Sequence, residues 1–240
     1  MKPAIFKKRY LIQMCAVILA LIALAVWYFS VVLPQKRFDQ QNKEAYEAHY
    51  NSRLEQFARE NEAYDDYEVD VAFIGDSLTE GYDLATFYPQ YVTTNRGIGG
   101  DKTYGLLERL QVSVYDLKPK VVVMLIGANN MNTMLKDYEC LLQELKQNLP
   151  ESKIVILSLT AMGGEHWGPK NQLAAYNNVY IKLLAQKYEY EFVDIFSVLF
   201  DVSTGEIYKD YTVDGGHLTS TGYTKLTEQI TPVLKELLGK

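Results

Sequence analysis

The sequence predicts an α/β fold in which helices cover both faces of a parallel sheet. From Val69 onward, short apolar runs alternate with longer amphipathic ones. Two of these runs, "KVVVMLIG" and "KIVILSL", are apolar on successive residues, as expected of strands that are buried on both faces. Such strands alternating with helices are typical of a parallel sheet. A chain of 240 residues, 48% of them hydrophobic, suffices for one core of this kind but hardly for two.

Five strands and four helices are predicted within this region. The strand candidates share β-branched or aliphatic composition and span residues 69–74, 92–95, 121–126, 154–159 and 191–195. The helix candidates share an amphipathic pattern and span residues 103–117, 134–148, 171–188 and 219–238. Residues 69–240 are therefore predicted to form one globular domain.

The N-terminus carries an uncharged apolar run. Four basic residues precede residues 11–33. At ~1.5 Å rise per residue, a helix of this length crosses the ~30 Å hydrocarbon layer of a bilayer. Because basic flanks stay in the cytoplasm, we predict a cytoplasmic basic tail (1–10), a transmembrane signal-anchor helix (11–33) and a single-pass cell-membrane protein whose remainder is extracytoplasmic. The alternative is a signal peptide cleaved after Ala23-Leu24-Ala25, which would give a secreted protein.

Residues 34–68 are predicted to form a polar helical connector. Tyr46, Tyr50, Leu54 and Phe57 recur at helical spacing and give one narrow apolar stripe. We interpret this stripe as a face that docks on the chain's own domain, or as part of a stalk. A helix that binds a partner protein is the alternative.

Charge and cysteine content exclude several classes of function. The formal charge is −6, and no cluster of Lys and Arg follows the N-terminus, which argues against nucleic-acid binding. The only cysteines are Cys15, inside the apolar run, and Cys140. The globular domain therefore has no internal disulfide and no cysteine-based zinc site.

Four polar or glycine-rich segments follow the predicted strands. In chain order they are Gly75-Asp76-Ser77, "NRGIGGDKT", "GANN" and, in the last loop, "DGGH". Ligands of open parallel sheets bind at the carboxyl ends of the strands, so we expect these segments to meet at one edge.

A serine nucleophile needs a base and a group that orients the base. The chain has three histidines. His49 lies in the connector, and His166 lies in a loop without a well-spaced carboxylate beyond Glu165. His217 follows Asp214 by three residues in the last loop, so we predict Ser77 as nucleophile, His217 as base and Asp214 as its orienting acid.

Attack on a carbonyl also requires donors for the developing oxyanion. The loop at residues 97–100 lacks bulky side chains and exposes backbone N–H groups, and Asn129 offers a side-chain amide. The competing interpretation is that these glycines form ordinary turns and that Asn129 caps the next helix. Asp76 has two candidate roles, as a cap of the following helix or as a group in contact with the substrate.

The blocks "FIGDSLTEG", "NRGIGGDKT", "IGANN" and "DGGHLTSTGY" resemble, in order and spacing, the four signature blocks of the SGNH (GDSL-type) hydrolases, and most closely the platelet-activating-factor acetylhydrolase-like branch. The resemblance implies a flavodoxin-like three-layer sandwich with a five-stranded parallel sheet, and no metal or organic cofactor. It also implies the triad Ser77, Asp214 and His217, with an oxyanion hole formed by the Ser77 amide, the Gly100 amide and the Asn129 side chain.

These observations predict a membrane-anchored serine esterase that acts on short-chain or O-acetyl esters, because no long apolar lid segment is present for a bulky acyl chain. His166 and Trp167, in a Gly-rich loop, are candidates for lining the leaving-group side of the site. The alternative is that Trp167 is structural and packs under this Gly-rich loop. Three other functions stay open: an acyltransferase that moves acetyl groups on cell-surface glycans, a lysophospholipase or other lipid esterase, and a binding module that uses the connector.

Overall fold

The computed structural model describes residues 3–239. Its packing divides the chain into two units, one up to His49 and one from Tyr50 onward. The boundary lies inside a helix, so the helix that begins in the first unit ends in the second.

The described residues of the first unit, 3–49, are helical. Helix α1 spans Pro3–Trp27, a π-helical turn spans Tyr28–Val32, and helix α2 spans Leu33–Asn61. The apolar side chains from Tyr10 to Val31 are exposed. In the described part of the chain, one helix is long and apolar enough to cross a membrane. A signal sequence can also meet these criteria of length and composition, so the anchor stays a prediction.

A five-stranded parallel sheet organises the second unit. Its strands are β1 (Val71–Gly75), β2 (Thr93–Gly97), β3 (Val121–Leu125), β4 (Lys153–Leu157) and β5 (Glu191–Val193). They lie in the order β2-β1-β3-β4-β5. This order confirms the predicted fold, and all five strands lie where the apolar runs predicted them. The order of the strands reverses at β1, so a crevice opens where β1 and β3 end side by side.

The connections between the strands supply the helices. The longer ones are α5 (Thr103–Glu108), α6 (Leu135–Asn148), α8 (Asn171–Tyr188) and α10 (Ser220–Leu238). Single-turn helices are α3 (Ser77–Glu80), α4 (Leu84–Phe87), α7 (Gly164–Trp167) and α9 (Phe196–Leu199). A short hairpin pairs β6 (Phe200–Asp201) with β7 (Glu206–Ile207). The single-turn helices and the hairpin have too few residues to produce a periodic signal in the sequence.

Two apolar cores lie on opposite faces of the sheet because successive strand residues point to opposite sides. One face carries Ala72, Ile74, Val122 and Met124 against α5, α6 and α8. The other carries Val71, Phe73, Val121 and Val123, and α10 packs there through residues that include Leu226, Ile230 and Leu234. The sheet is thus the middle of three layers, and its strands read as continuously apolar for that reason.

One predicted helix is wrong in its extent. The amphipathic run 103–117 is divided into α5 and a π-helical turn at Gln111–Tyr115. Arg109 lies at the break, where its backbone leaves the helical conformation (φ −109°, ψ 7°). Its guanidinium is buried and donates to the carboxylate of Asp101 and the carbonyl of Gly75. A buried charge requires such partners, and reaching them interrupts the helix.

The end of α2 packs on the globular unit. Phe57 is fully buried, and the Tyr50 hydroxyl donates to the Gly105 carbonyl at 3.1 Å. The docked-helix interpretation of the connector therefore describes residues from Tyr50 to Asn61. The structure places these residues with the globular unit, whereas the sequence assigned all of 34–68 to the connector.

Candidate active site

The turn after β1 presents Ser77 as the first residue of α3. Asp76 caps this helix, because its Oδ1 atom accepts the backbone N–H of Leu78 at 3.1 Å. The Asp76 side chain faces the interior, where the residue is only 1% exposed. Asp76 therefore has almost no surface to offer a substrate, which contradicts its candidate role in substrate contact and favours the capping role.

The loop before α10 holds His217 and Asp214 in one hydrogen-bonded unit. Asp214 Oδ1 accepts the backbone N–H groups of Gly216 (2.9 Å) and His217 (2.7 Å). Asp214 Oδ2 lies 2.8 Å from His217 Nδ1. The hydroxyl of Thr212 donates to the His217 carbonyl at 2.7 Å. Hydrogen bonds within this short segment therefore hold the imidazole beside the carboxylate.

Asp214 is a stable carboxylate in this loop. Slight burial works to raise its pKa, but the N–H of His217, the His217 ring and the N–H of Gly216 together lower the pKa to about 2. Hydrogen bonds to the charged form of a carboxyl favour ionisation. At neutral pH the ring of His217 therefore faces a negative charge.

Ser77 and His217 are 140 positions apart in the sequence and in contact in the fold. Ser77 Oγ lies 3.1 Å from His217 Nε2. The structure thus joins Asp214, His217 and Ser77 in one line of contacts, as the sequence predicted. Such a line can carry the Ser77 proton to the ring while the carboxylate holds the other ring nitrogen.

The glycine turn, defined here as residues 98–101, follows β2 and is hydrogen-bonded to the end of β1. The Ile98 N–H donates to the Gly75 carbonyl at 3.1 Å, and the Asp101 N–H closes the turn on the Ile98 carbonyl at 3.1 Å. Gly100 has φ 76°, a conformation that residues with a Cβ rarely adopt. A glycine at position 100 lets the turn follow the end of β1 closely.

Asn129 reaches this turn from the end of β3. Its Nδ2 atom donates to the Asp101 carbonyl at 2.9 Å. Helix α6 begins at Leu135, and no side chain caps it. The capping interpretation of Asn129 is therefore wrong, and its amide lies against the residue that follows Gly100.

Trp167 packs against the loop that carries Gly216 and His217. A Cβ atom on Gly216 would lie 2.5 Å from the Trp167 ring, which is too close for a side chain. Glycine at this position therefore lets the loop and the ring pack together. The rings of Trp167 and His217 meet edge to face with centroids 6.2 Å apart. His166 is exposed and lies edge to face against Trp167 at 4.9 Å. Trp167 thus packs against the loop that carries His217, and both residues adjoin the His217 side of the site.

Sequence reasoning missed the buried ion pair beneath the glycine turn. Arg109 Nε donates to Asp101 Oδ2 at 2.8 Å, and both side chains are almost completely buried. Arg109 also donates to the carbonyls of Arg96 (2.9 Å) and Gly75 (2.8 Å). The signal available in the sequence was an arginine within an otherwise amphipathic helix next to a glycine-rich loop, which alone does not distinguish a buried cation from a solvated one.

Among the described side chains, no group of three or more His, Cys, Asp or Glu residues is placed to hold a metal ion. The residues gathered around Ser77 are the components of proton transfer and hydrogen bonding.

Burial sets the charge of Asp76. Desolvation raises the pKa of this carboxyl to about 7, with the Leu78 N–H opposing the shift and Asp101 adding to it. The folded protein then binds a proton that the unfolded chain has lost between pH 4 and pH 7, so this group's contribution to stability falls as pH rises through that range.

Asp76→Asn should therefore gain stability relative to the wild type as pH rises. We expect the difference in free energy of unfolding to shift by about 2–3 kcal/mol in favour of the variant between pH 5 and pH 8. Urea denaturation of the full-length protein at both pH values measures it. Asp83→Asn, at an exposed carboxylate that caps α4, is the matched control. An equal difference at both pH values would mean that Asp76 is already ionised in the folded protein.

Comparison with known proteins agrees with this geometry. The sequence pattern of the GDSL-like lipase/acylhydrolase family matches residues 73–225. Over 190 residues the chain is 31% identical to platelet-activating factor acetylhydrolase IB subunit alpha2 from Homo sapiens and from Rattus norvegicus, covering 72% of this chain and 79% of each relative.

Solved structures show the same fold. A Streptococcus pneumoniae protein, described provisionally as a platelet activating factor, superimposes with a TM-score of 0.73 and 26% identity over 83% of this chain and 99% of its own. The acetylxylan esterase Axe2 from Geobacillus stearothermophilus superimposes with a TM-score of 0.58 and 20% identity, covering 70% of this chain and 95% of its own. The latter similarity concerns the fold alone.

Proposed function

Since the chain belongs to the GDSL-like lipase/acylhydrolase family and is a carboxylic ester hydrolase, we propose that it hydrolyses short-chain acyl esters, acetyl esters foremost, through an acyl intermediate on Ser77. The observation that carries this proposal is the line of contacts from Asp214 to His217 (2.8 Å) and from His217 to Ser77 (3.1 Å). These distances are those of hydrogen bonds that transfer a proton.

In the first step Ser77 Oγ attacks the carbonyl carbon of the ester, and its proton passes to His217 Nε2. The imidazolium that forms is stabilised by the Asp214 carboxylate, which stays ionised above its pKa of about 2. His217 then gives the proton to the alkoxide oxygen of the leaving group as the C–O bond breaks. The products of this step are an alcohol and an acyl-Ser77 ester.

In the second step water takes the place of the alcohol. His217 removes a proton from the water as its oxygen attacks the acyl carbon, and the same proton returns to Ser77 Oγ as the acyl bond breaks. A carboxylic acid leaves, and the enzyme regains its starting state.

Each tetrahedral intermediate bears a negatively charged oxygen. We assign three groups as hydrogen-bond donors to this oxygen. They are the backbone N–H groups of Ser77 and Gly100 and the side-chain amide of Asn129. The bonds from Ile98 to Gly75 and from Asn129 to Asp101 support this assignment, because they tie the three segments together at the end of β1. Donors that are already oriented stabilise the charge without reorganising during the reaction.

Two observations favour a small acyl group. The site side chains whose contacts are described above, Asp214, His217 and Asn129, are polar and offer a long acyl chain little apolar surface. The mammalian relatives carry the name acetylhydrolase, and the similarity to them spans 72% of this chain. We place His166 and Trp167 on the leaving-group side of the site. With the N-terminal helix as a membrane anchor and the catalytic unit outside the cytoplasm, esters on envelope sugars are the substrates within reach.

A series of p-nitrophenyl esters tests the preference for acyl length. With the full-length protein in detergent, we expect kcat/KM for the acetyl ester to exceed that for the decanoyl ester by at least about tenfold, because the long chain gains no burial. Adding a sugar acceptor and measuring transferred acetyl against released acetate separates hydrolysis from acyl transfer. A preference for the decanoyl ester would reassign the protein as a lipid esterase, and transfer in excess of release would reassign it as an acyltransferase.

A further inference from the structure

The end of helix α2 packs behind the glycine turn. The part of α2 that belongs to the globular unit runs from Tyr50 to Asn61, and it lies outside residues 73–225 that match the family. The family pattern therefore does not include it. This part of α2 nevertheless contacts β2, the strand that is followed by the glycine turn and Gly100.

Arg53 makes the most direct of these contacts. Its guanidinium donates to the Gly97 carbonyl from Nε (3.2 Å) and from Nη2 (3.0 Å), and to the Asn95 carbonyl from Nη2 (3.2 Å). Asn95 and Gly97 are the last residues of β2 before the glycine turn. The side chain of Arg53 is only 15% exposed, so little water competes for these bonds. One side chain of α2 thus holds the strand end from which the turn departs.

Glu80 connects Arg53 to the turn itself. Glu80 Oε1 lies 3.5 Å from Arg53 Nε, and Glu80 Oε2 accepts the backbone N–H of Gly99 at 2.6 Å. Glu80 is the last residue of α3, the helix that begins with Ser77. The carboxylate therefore joins three parts of the site: the nucleophile helix, the residue before Gly100, and α2.

Phe57 fixes α2 at this position. Its ring is fully buried, and the guanidinium carbons of Arg53, Arg96 and Arg109 lie 4.8, 4.9 and 5.9 Å from its centre. Buried cations close to an aromatic face are attracted to it by the negative potential of the ring face. Arg96 in addition pairs with Glu60 of α2. The helix end cannot leave without exposing Phe57 and separating buried charges from their partners.

We propose that Arg53 is a positioning residue for catalysis, which acts through the Asn95 and Gly97 carbonyls and through Glu80 to hold the glycine turn where the Gly100 N–H meets the oxyanion. This role rests on the proposed function, in which Gly100 is an oxyanion donor. Arg53 touches neither the substrate nor Ser77. Its removal frees the turn to shift, and small displacements of a catalytic donor reduce the rate of the chemical step more than they reduce binding.

Arg53→Met in the full-length protein tests this role, because methionine keeps the apolar stem against Phe57 and removes the donors. We expect kcat for p-nitrophenyl acetate to fall by about 10- to 100-fold while KM changes less than about threefold. Arg59→Met is the matched control: Arg59 is also on α2, its side chain is 67% exposed, and its ion pair at 3.8 Å is with Glu55 of the same helix. We expect this control to keep the wild-type kcat.

Chemical rescue separates positioning from a loss of folded protein. Arg53→Ala leaves a space that free guanidinium can enter, so guanidinium chloride at sub-denaturing concentration should restore part of kcat, and sodium chloride at equal ionic strength should not. The folded fraction is measured by circular dichroism in the same samples. Activity that falls only in proportion to the folded fraction, without rescue by guanidinium, would overturn the proposal.

Asn129→Ala distinguishes failure of this inference from failure of the proposed function. Its kcat should fall by about 10²-fold, since it removes a donor directly. If Asn129→Ala is slow and Arg53→Met is as fast as Arg59→Met, the positioning role of Arg53 is wrong and the oxyanion assignment stands. If Asn129→Ala keeps the wild-type kcat, the oxyanion assignment fails, and the role of Arg53 fails with it.

Discussion

Ser77→Ala is expected to lower kcat for p-nitrophenyl acetate by at least about 10³-fold while leaving the fold intact, because it removes the hydroxyl that we propose forms the acyl intermediate. The Ser77 hydroxyl lies 3.1 Å from His217 Nε2, a side chain outside the sheet. Replacing it with hydrogen therefore removes the nucleophile and leaves the packing of α3 unchanged. Steady-state kinetics of the purified full-length protein measure the loss.

Labelling with a fluorophosphonate probe is a second test of Ser77 as the nucleophile. The wild-type protein should be labelled, and Ser77→Ala should not be. Ser197→Ala is a matched control, since Ser197 is an exposed serine that donates to Asp194 in the turn before α9. Labelling of Ser77→Ala, or turnover comparable to that of the control, would refute the assignment of Ser77 as nucleophile.

Asp214→Asn is expected to lower kcat by about 10²- to 10⁴-fold, the second largest effect. The Asp214 carboxylate accepts the proton on His217 Nδ1 and so leaves Nε2 free to receive the proton of Ser77. An asparagine amide that donates to Nδ1 selects the opposite tautomer, in which Nε2 carries a hydrogen and cannot act as a base. It also removes the negative charge that stabilises the imidazolium.

The measurement is kcat for the acetyl ester across pH. Because the pKa of Asp214 is lowered to about 2, this carboxylate is ionised throughout the assay range, and the loss in Asp214→Asn should persist from pH 5 to pH 9. Asp210→Asn is the matched control: Asp210 lies in the same segment and is exposed, and its backbone carbonyl rather than its carboxylate accepts the Thr219 hydroxyl. Wild-type kcat in Asp214→Asn would mean that another group orients His217.

The sheet was predictable because its determinants are local. Strands covered on both faces must be apolar on successive residues, and "KVVVMLIG" meets this condition without reference to any other part of the chain. The helix at Asn171–Tyr188 was likewise predicted from its own periodicity. The prediction failed at Arg109, where the decisive interaction is with Asp101 and Gly75 outside the helix. Periodicity records which side of a helix is buried but not which distant group a buried charge will meet.

In the candidate site, too, contacts between residues close in sequence were the most predictable. Asp214 and His217 are three residues apart, and their contact forms within one loop, so their spacing carried the signal. The choice between a cap and a donor for Asn129 was open in the sequence, because each interpretation is compatible with a polar residue after a strand. Only the position of the Asp101 carbonyl, which comes from another loop, distinguishes them.

The sequence by itself determined the parallel sheet and the order of the polar segments at its carboxyl edge, and it predicted the residues that we propose carry out the chemistry. The tertiary structure alone decided that Asp76 faces inward, that Asn129 reaches the glycine turn, and that Arg53 of α2 holds the end of β2. The physical reason is the sequence separation between the residues that interact. Backbone conformation and burial pattern follow from neighbours a few residues apart, whereas the partners of a buried polar group depend on how whole elements pack, since each such group must find a hydrogen bond wherever packing places it.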